Sequence, residues 1–107
     1  MNLKQVLKLI KSKKLSKIKN LKHGFFNSMG GHSKDIYKSL NCGPGSNDKQ
    51  SNIKKNLQKV RKKISTKAKN IFLVSQFHSN KFVYIDEKYT KKQKPKADAI
   101  ITNQKYL

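Results

Sequence analysis

A mixed α and β domain, of the α+β kind, is the fold class this sequence predicts, and three observations predict it. Segment 51–65, "SNIKKNLQKVRKKIS", carries Ile53, Leu57, Val60 and Ile64 at i, i+4, i+7 and i+11, one face of an α-helix. Two later stretches, "IFLVSQF" (71–77) and "KFVYID" (81–86), have the β-branched and aromatic content of strands. Ahead of the helix lies "NCGPGSND" (41–48), whose two Gly, one Pro and three Asn or Asp residues exclude a regular element and mark a loop.

The elements follow in order. Leu3, Val6, Leu7, Ile10, Leu15, Ile18 and Leu21 fall roughly at helical spacing with Lys between them. They predict an amphipathic helix over 3–21, or a helix running into a strand, that covers the domain. A basic helix on an anionic membrane has the same spacing, but this apolar face lacks an aromatic residue and the segment lacks Trp and Arg. Phe25 and Phe26 predict a short strand, and Gly30-Gly31 a turn with positive φ. Loops as rich in turn formers as 41–48 often line sites. Ser51 or Asn52 is expected to cap the following helix. Ile71–Phe77 and Lys81–Asp86 are two strands joined tightly through "HSN". After the polar loop "EKYTKKQKPK", "ADAIIT" (97–102) is a third strand. By these strand positions Phe25, Phe26, Phe72, Phe77 and Phe82 belong in the core.

At 107 residues the chain is one domain at most, with a basic segment over 1–22 ahead of the body at 23–107. Apolar residues are 35% of it, enough for a modest core and too few for a large pocket. Net charge is +21, and of the 26 basic residues only Arg61 is not Lys. Lys is a point charge without the planar fork that reads guanine edges or grips phosphate in pairs. Lys, Asn and Ile together make 44 of 107 residues, all types that A/T-rich codons supply. The charge therefore reads first as a solvated surface shaped by coding bias and second as a surface for a polyanion.

A lone cysteine, Cys42, excludes an intrachain disulfide and suits a reducing cytoplasm. No apolar run reaches the roughly 20 residues of a membrane span, and no unbroken apolar core of a secretory signal stands at the N-terminus. His23, His32 and His78 have neither the i, i+4 spacing of a helical zinc site nor a nearby Cys. Cys42 is a weak candidate for a reactive thiol. "GPGS" lacks the Gly-Lys-Ser/Thr ending of a phosphate-binding loop, though the helix after it presents an N-terminus to anions.

The motifs taken in order say more than any one alone. "HGFF", "YKSLNCGPGSND", "SQFHS" and "PKADAIIT" resemble the laccase-domain family, the polyphenol oxidoreductases, many of which act as bacterial purine nucleoside phosphorylases. The resemblance runs from about His23 to Leu107. It implies an α/β sandwich with mixed sheets, here its N-terminal part. It also implies a cytoplasmic zinc enzyme that phosphorolyses adenosine, inosine or guanosine and deaminates adenosine. His78 matches the first zinc ligand, while Asn41 and Gln76 are implied as pocket-lining, substrate-binding residues. His23 matches a structural position, His32 stands where Val is usual, and Cys42 is not the zinc cysteine.

Ser28 and Leu57 stand where the family has Arg, and Asp35 where it has Gly. The "ADC" and "HAGW" segments with the second and third ligands do not occur in this sequence. The chain is thus expected to be a truncated member with an incomplete zinc site, inactive alone and open to completion by a C-terminal chain. A catalytic zinc needs three protein ligands and an open position before it can polarise a phosphate or activate water. The alternative is a small Lys-rich nucleic-acid-binding protein. No membrane partner is expected.

Overall fold

The computed structural model describes residues 6–89 and 94–105. The chain divides into two compact units, Met1–Lys67 and Ala68–Leu107. In the first, β1 (Leu9–Ile10) pairs antiparallel with β2 (Phe25–Phe26), Leu9 opposite Phe26 and Ile10 opposite Phe25. Between them stands a single helical turn, α1 (Lys13–Ser16), where Ser12 Oγ accepts the Leu15 N–H at 3.2 Å.

The long N-terminal helix is therefore not formed. Residues 11–19 hold five Lys, which meet like charges at i, i+3 and i+4. The turn buries no residue that would offset the cost of ordering it, and Asn20 then turns the chain with φ 68°. Leu3 of the expected apolar face lies outside the described residues.

The predicted glycine turn is present. Gly30 has φ +91°, and a side chain there would run into the backbone of Leu7. A Cβ at Gly31 would meet the carbonyl of Ser39, so the 28–33 and 39–40 stretches pack backbone against backbone. They are stitched together by the N–H groups of Ser39 and Leu40 on Ser28 C=O, at 2.8 and 2.9 Å, and by Ser33 N–H on Ser39 C=O at 2.9 Å.

A 3-10 turn (Asp35–Tyr37) and the 41–48 loop lead to α2 (Gln50–Ile64). The cap is Lys49, and its side chain makes no capping hydrogen bond, so neither Ser51 nor Asn52 fills that role. Asp48 acts one residue earlier, its Oδ1 taking the Lys49 N–H at 2.8 Å. Arg61, Lys62 and Lys63 end the helix where cations suit its dipole. Ile53 is buried; Leu57, Val60 and Ile64 are half-buried along the predicted face.

The second unit holds β3 (Phe82–Ile85) and β4 (Ala99–Thr102), which pair in parallel with Phe82 opposite Ala99 and Ile85 opposite Thr102. A parallel pair needs a connection of about a dozen residues, and 86–98 supplies it. Residues 90–93 of that loop lie outside the described residues.

The strand expected over Ile71–Phe77 is reduced to one bridge, Ser75 with Lys96. The chain is turned at His78, which has φ 61°, before any ladder forms over 71–77. The five Phe do not form the core either: Phe25, Phe77 and Phe82 are exposed, Phe26 and Phe72 half-buried. Among the described residues the buried apolar ones are Leu40 and Ile53 in the first unit, Ile85 and Ala97 in the second. Among the described residues no helix is long and apolar enough to cross a membrane.

The mixed α and β class holds, with the antiparallel and parallel pairs in separate two-stranded sheets. Gly30→Ala puts a Cβ into the Leu7 backbone at a φ that L-residues avoid. It should lower the stability of the first unit by about 2 kcal/mol or more, read as a shift of the urea midpoint; an unchanged midpoint would refute the packing of Leu7 on this turn.

Candidate functional site

Two polar clusters carry the sequence motifs, one in each unit. In the first, Asn56 of α2 is fully buried at 0% exposure. Its Oδ1 accepts the His32 N–H at 2.7 Å, and its Nδ2 donates to Ser33 Oγ at 2.9 Å and to Asn41 C=O at 2.8 Å. Three chain segments thus meet on one amide. Ser33, itself buried, donates its hydroxyl to Asp48 Oδ2 at 2.5 Å. Lys59, one turn after Asn56, donates Nζ to Gly30 C=O at 2.7 Å.

Asn41 closes the other side. Its Nδ2 donates to Ser46 Oγ at 2.9 Å and to Asp48 Oδ2 at 3.2 Å, and its Oδ1 accepts the Gly43 N–H at 3.1 Å. The amide is thus engaged in shaping the 41–48 loop. A surface cleft of about 480 Å³ opens beside this loop, lined by Lys34, Tyr37, Asn47, Asp48, Lys49 and Ser51 among others. The Ser33 hydroxyl, seconded by the Asn41 amide and the Lys49 N–H, holds the Asp48 carboxyl below its ordinary value against opposing desolvation. Burial pushes the Cys42 thiol up, away from the thiolate a reactive cysteine needs.

The second cluster surrounds His78. The Asp98 carboxylate accepts three consecutive backbone N–H groups: Phe77 and His78 on Oδ1 at 3.0 and 2.9 Å, and Ser79 on Oδ2 at 2.7 Å. The Ser79 hydroxyl also donates to Oδ2, at 2.5 Å. The Ser79 hydroxyl above all, then these N–H groups, brings the Asp98 carboxyl down to about 2. This clamp holds His78 in the left-handed region, a conformation costing about 1–3 kcal/mol for a non-glycine residue. The His78 side chain stands exposed at the tip of the turn, with Gln76 exposed two residues before it.

His23, by contrast, is structural: its Nε2 accepts the Ser12 N–H at 2.8 Å and its ring meets Phe25 edge-on. His32 is exposed and enters the first cluster through its backbone alone.

Tested as a metal centre, the chain supplies one imidazole. Among the described residues no three His, Cys, Asp or Glu side chains gather where an ion could sit. Asp98, the carboxylate nearest His78 in the fold, already takes four hydrogen bonds. The described residues do not by themselves fit a resident catalytic metal, which asks for three ligands. Sequence reading missed Ser33, Asp48, Asn56, Ser79 and Asp98. Two of them carried a signal: Asn56, three residues after Ile53 on an apolar helix face, and Asp98, at the start of the "ADAIIT" stretch.

Asn56→Ala strands the His32 N–H and the Asn41 carbonyl, so it should cost about 3–5 kcal/mol. Asn56→Leu should do no better, which separates lost hydrogen bonds from lost volume; a mild effect of Asn56→Leu on the urea midpoint would count against the network. Asp48 adds a pH dependence. Its folded pKa is depressed, so its stabilisation is present above the unfolded value of about 3.9 and lost as pH falls through the lower folded value. The urea midpoint should hold between about pH 7 and 5 and drop below about pH 4, with a smaller drop in Asp48→Asn; an equal drop in both proteins would discount the Ser33–Asp48 bond.

The comparisons with known proteins agree with the motifs. No curated protein matches the chain. The sequence model described as "Multi-copper polyphenol oxidoreductase laccase" matches residues 22–107. That match takes in both the Asn56 and the Asp98 clusters, and the chain belongs to this laccase-domain family.

Proposed function

We propose that the chain is the His78-bearing part of a zinc-dependent purine nucleoside phosphorylase that works in the cytoplasm. Its reaction is transfer of the ribosyl group of adenosine, inosine or guanosine to phosphate, with adenosine deamination as a companion activity. The observation that supports this most is the Asp98 clamp. A turn fixed by three N–H groups and a hydroxyl on one carboxylate presents an imidazole outward with its backbone already ordered. Preordering of that kind suits a ligand position, because a metal donor binds better when its orientation is set beforehand.

His78 is then the single donor this chain contributes. The other two come from protein outside these 107 residues, in the same polypeptide or in a partner chain. Gln76 is the candidate substrate contact beside the imidazole, and Asn41 acts through the loop it organises.

Zinc titrated into the chain alone should bind weakly. Mixed with a polypeptide carrying the family's remaining Cys and His ligands, the chain should bind zinc tighter by about tenfold or more. The mixture should also gain phosphorolysis of inosine, and His78→Ala should remove both gains. If zinc binds no tighter in the mixture than to either piece, the reading is wrong.

A further inference from the structure

The connection between β1 and β2 is closed by a bond that exists in one protonation state only. His23 Nε2 accepts the Ser12 N–H at 2.8 Å. A ring nitrogen that accepts carries no proton, so this imidazole is neutral with its hydrogen on Nδ1. Ser12 in turn organises α1. Its Oγ accepts the Leu15 N–H at 3.2 Å, and its C=O accepts the Ser16 N–H at 3.0 Å and the Ser16 hydroxyl at 2.8 Å. The turn buries none of its residues, so hydrogen bonds and not packing hold it. The ladder at the base of the connection is two residues long on each strand, with Leu9 lying so close over Gly24 that a Cβ there would meet its side chain.

The surroundings give a second proton on His23 no welcome. Lys8 and Lys11 flank β1, Lys13 and Lys14 lie on α1, and Lys22 precedes His23 itself. Residues 1–34 contain no Asp or Glu. On β2 the ring meets Phe25 edge-on at 6.4 Å between centroids, which supplies no countercharge. Of the two carboxylates in the first unit, Asp48 is occupied by Ser33, Asn41 and the Lys49 N–H, and Asp35 stands in the 3-10 turn. A proton on Nε2 would set one donor against another at Ser12 and add a positive charge to a run of lysines.

We infer that His23 is a proton-operated latch on the 11–22 connection. At neutral pH the ring accepts and the connection is closed on Ser12. As pH falls through the range of about 8 to 5 in which histidine changes charge, the bond is lost, α1 unwinds and the connection opens. The Gly30 turn and the Asn56 network use no imidazole and stay formed. The latch joins a residue ahead of the family match, Ser12, to one inside it, His23. It is independent of phosphorolysis, since His78 belongs to the other unit.

The test is heteronuclear NMR of the full chain from about pH 7.5 to 5, with amide exchange compared with the unstructured rate. Protection of the Ser12 amide should fall about tenfold over that range, in step with the His23 ring resonances. Leu15 and Ser16 should follow, while the amides of His32 and Ser39 keep their protection. His23→Gln, whose side-chain carbonyl accepts at any pH, should hold Ser12 protected throughout, and His23→Ala should leave it unprotected throughout. A Ser12 amide that stays protected while the His23 ring titrates, or one that loses protection equally in His23→Gln, overturns the latch.

Discussion

One buried amide organises the first unit. Asn56 joins the His32–Ser33 turn, the 41–48 loop and α2 through three hydrogen bonds at zero exposure. In a chain richer in apolar residues that position on the helix would carry Leu, and the loops would pack on it by area. Here the buried apolar residues among those described in the unit are Leu40 and Ile53, too little surface to fix two glycine-rich loops. Directional bonds do that work instead. They fix the backbone more uniquely than packing would, and losing one partner costs more because the others stay buried.

The second unit repeats the principle with a carboxylate. Asp98 gathers three N–H groups and a hydroxyl, holding His78 at a φ that side chains rarely adopt. Only five acidic residues face 26 basic ones, yet Asp48 and Asp98 are occupied by hydroxyl, amide and backbone donors. A carboxylate that accepts several such bonds stays ionised to low pH and behaves as a structural anion. The excess of Lys is left at the surface, where it governs encounter with partners and has little bearing on the fold.

How much of this was legible follows from the same division. α2 was legible because Ile53, Leu57, Val60 and Ile64 repeat at helical spacing, and the turn at Gly30 because only Gly takes φ +91° next to another backbone without strain. The N-terminal helix was not, since its apolar spacing is right but mutual repulsion of Lys and the lack of burial outweigh propensity. The strand over 71–77 ends for a non-local reason: Asp98, some twenty residues on, takes the Phe77 N–H and then those of His78 and Ser79, turning the chain there. At the site, sequence resemblance singled out His78 but not the residue that presents it. The resemblance implies a pocket-lining role for Asn41, and its amide hydrogen-bonds within the 41–48 loop.

The exposed Phe82–Tyr84 face and the outward His78 turn share a cause. Both lie next to backbone that Asp98 fixes, since its own N–H donates to Lys81 C=O at the threshold of β3 while its side chain holds the turn before it. The clamp therefore sets where β3 begins and thereby which of its side chains alternate outward. Had the turn been one residue longer, Val83 and Ile85 would face solvent and the two aromatic rings would be turned inward. The position of a single carboxylate thus bears both on the turn that carries His78 and on the start of the strand that carries Phe82 and Tyr84.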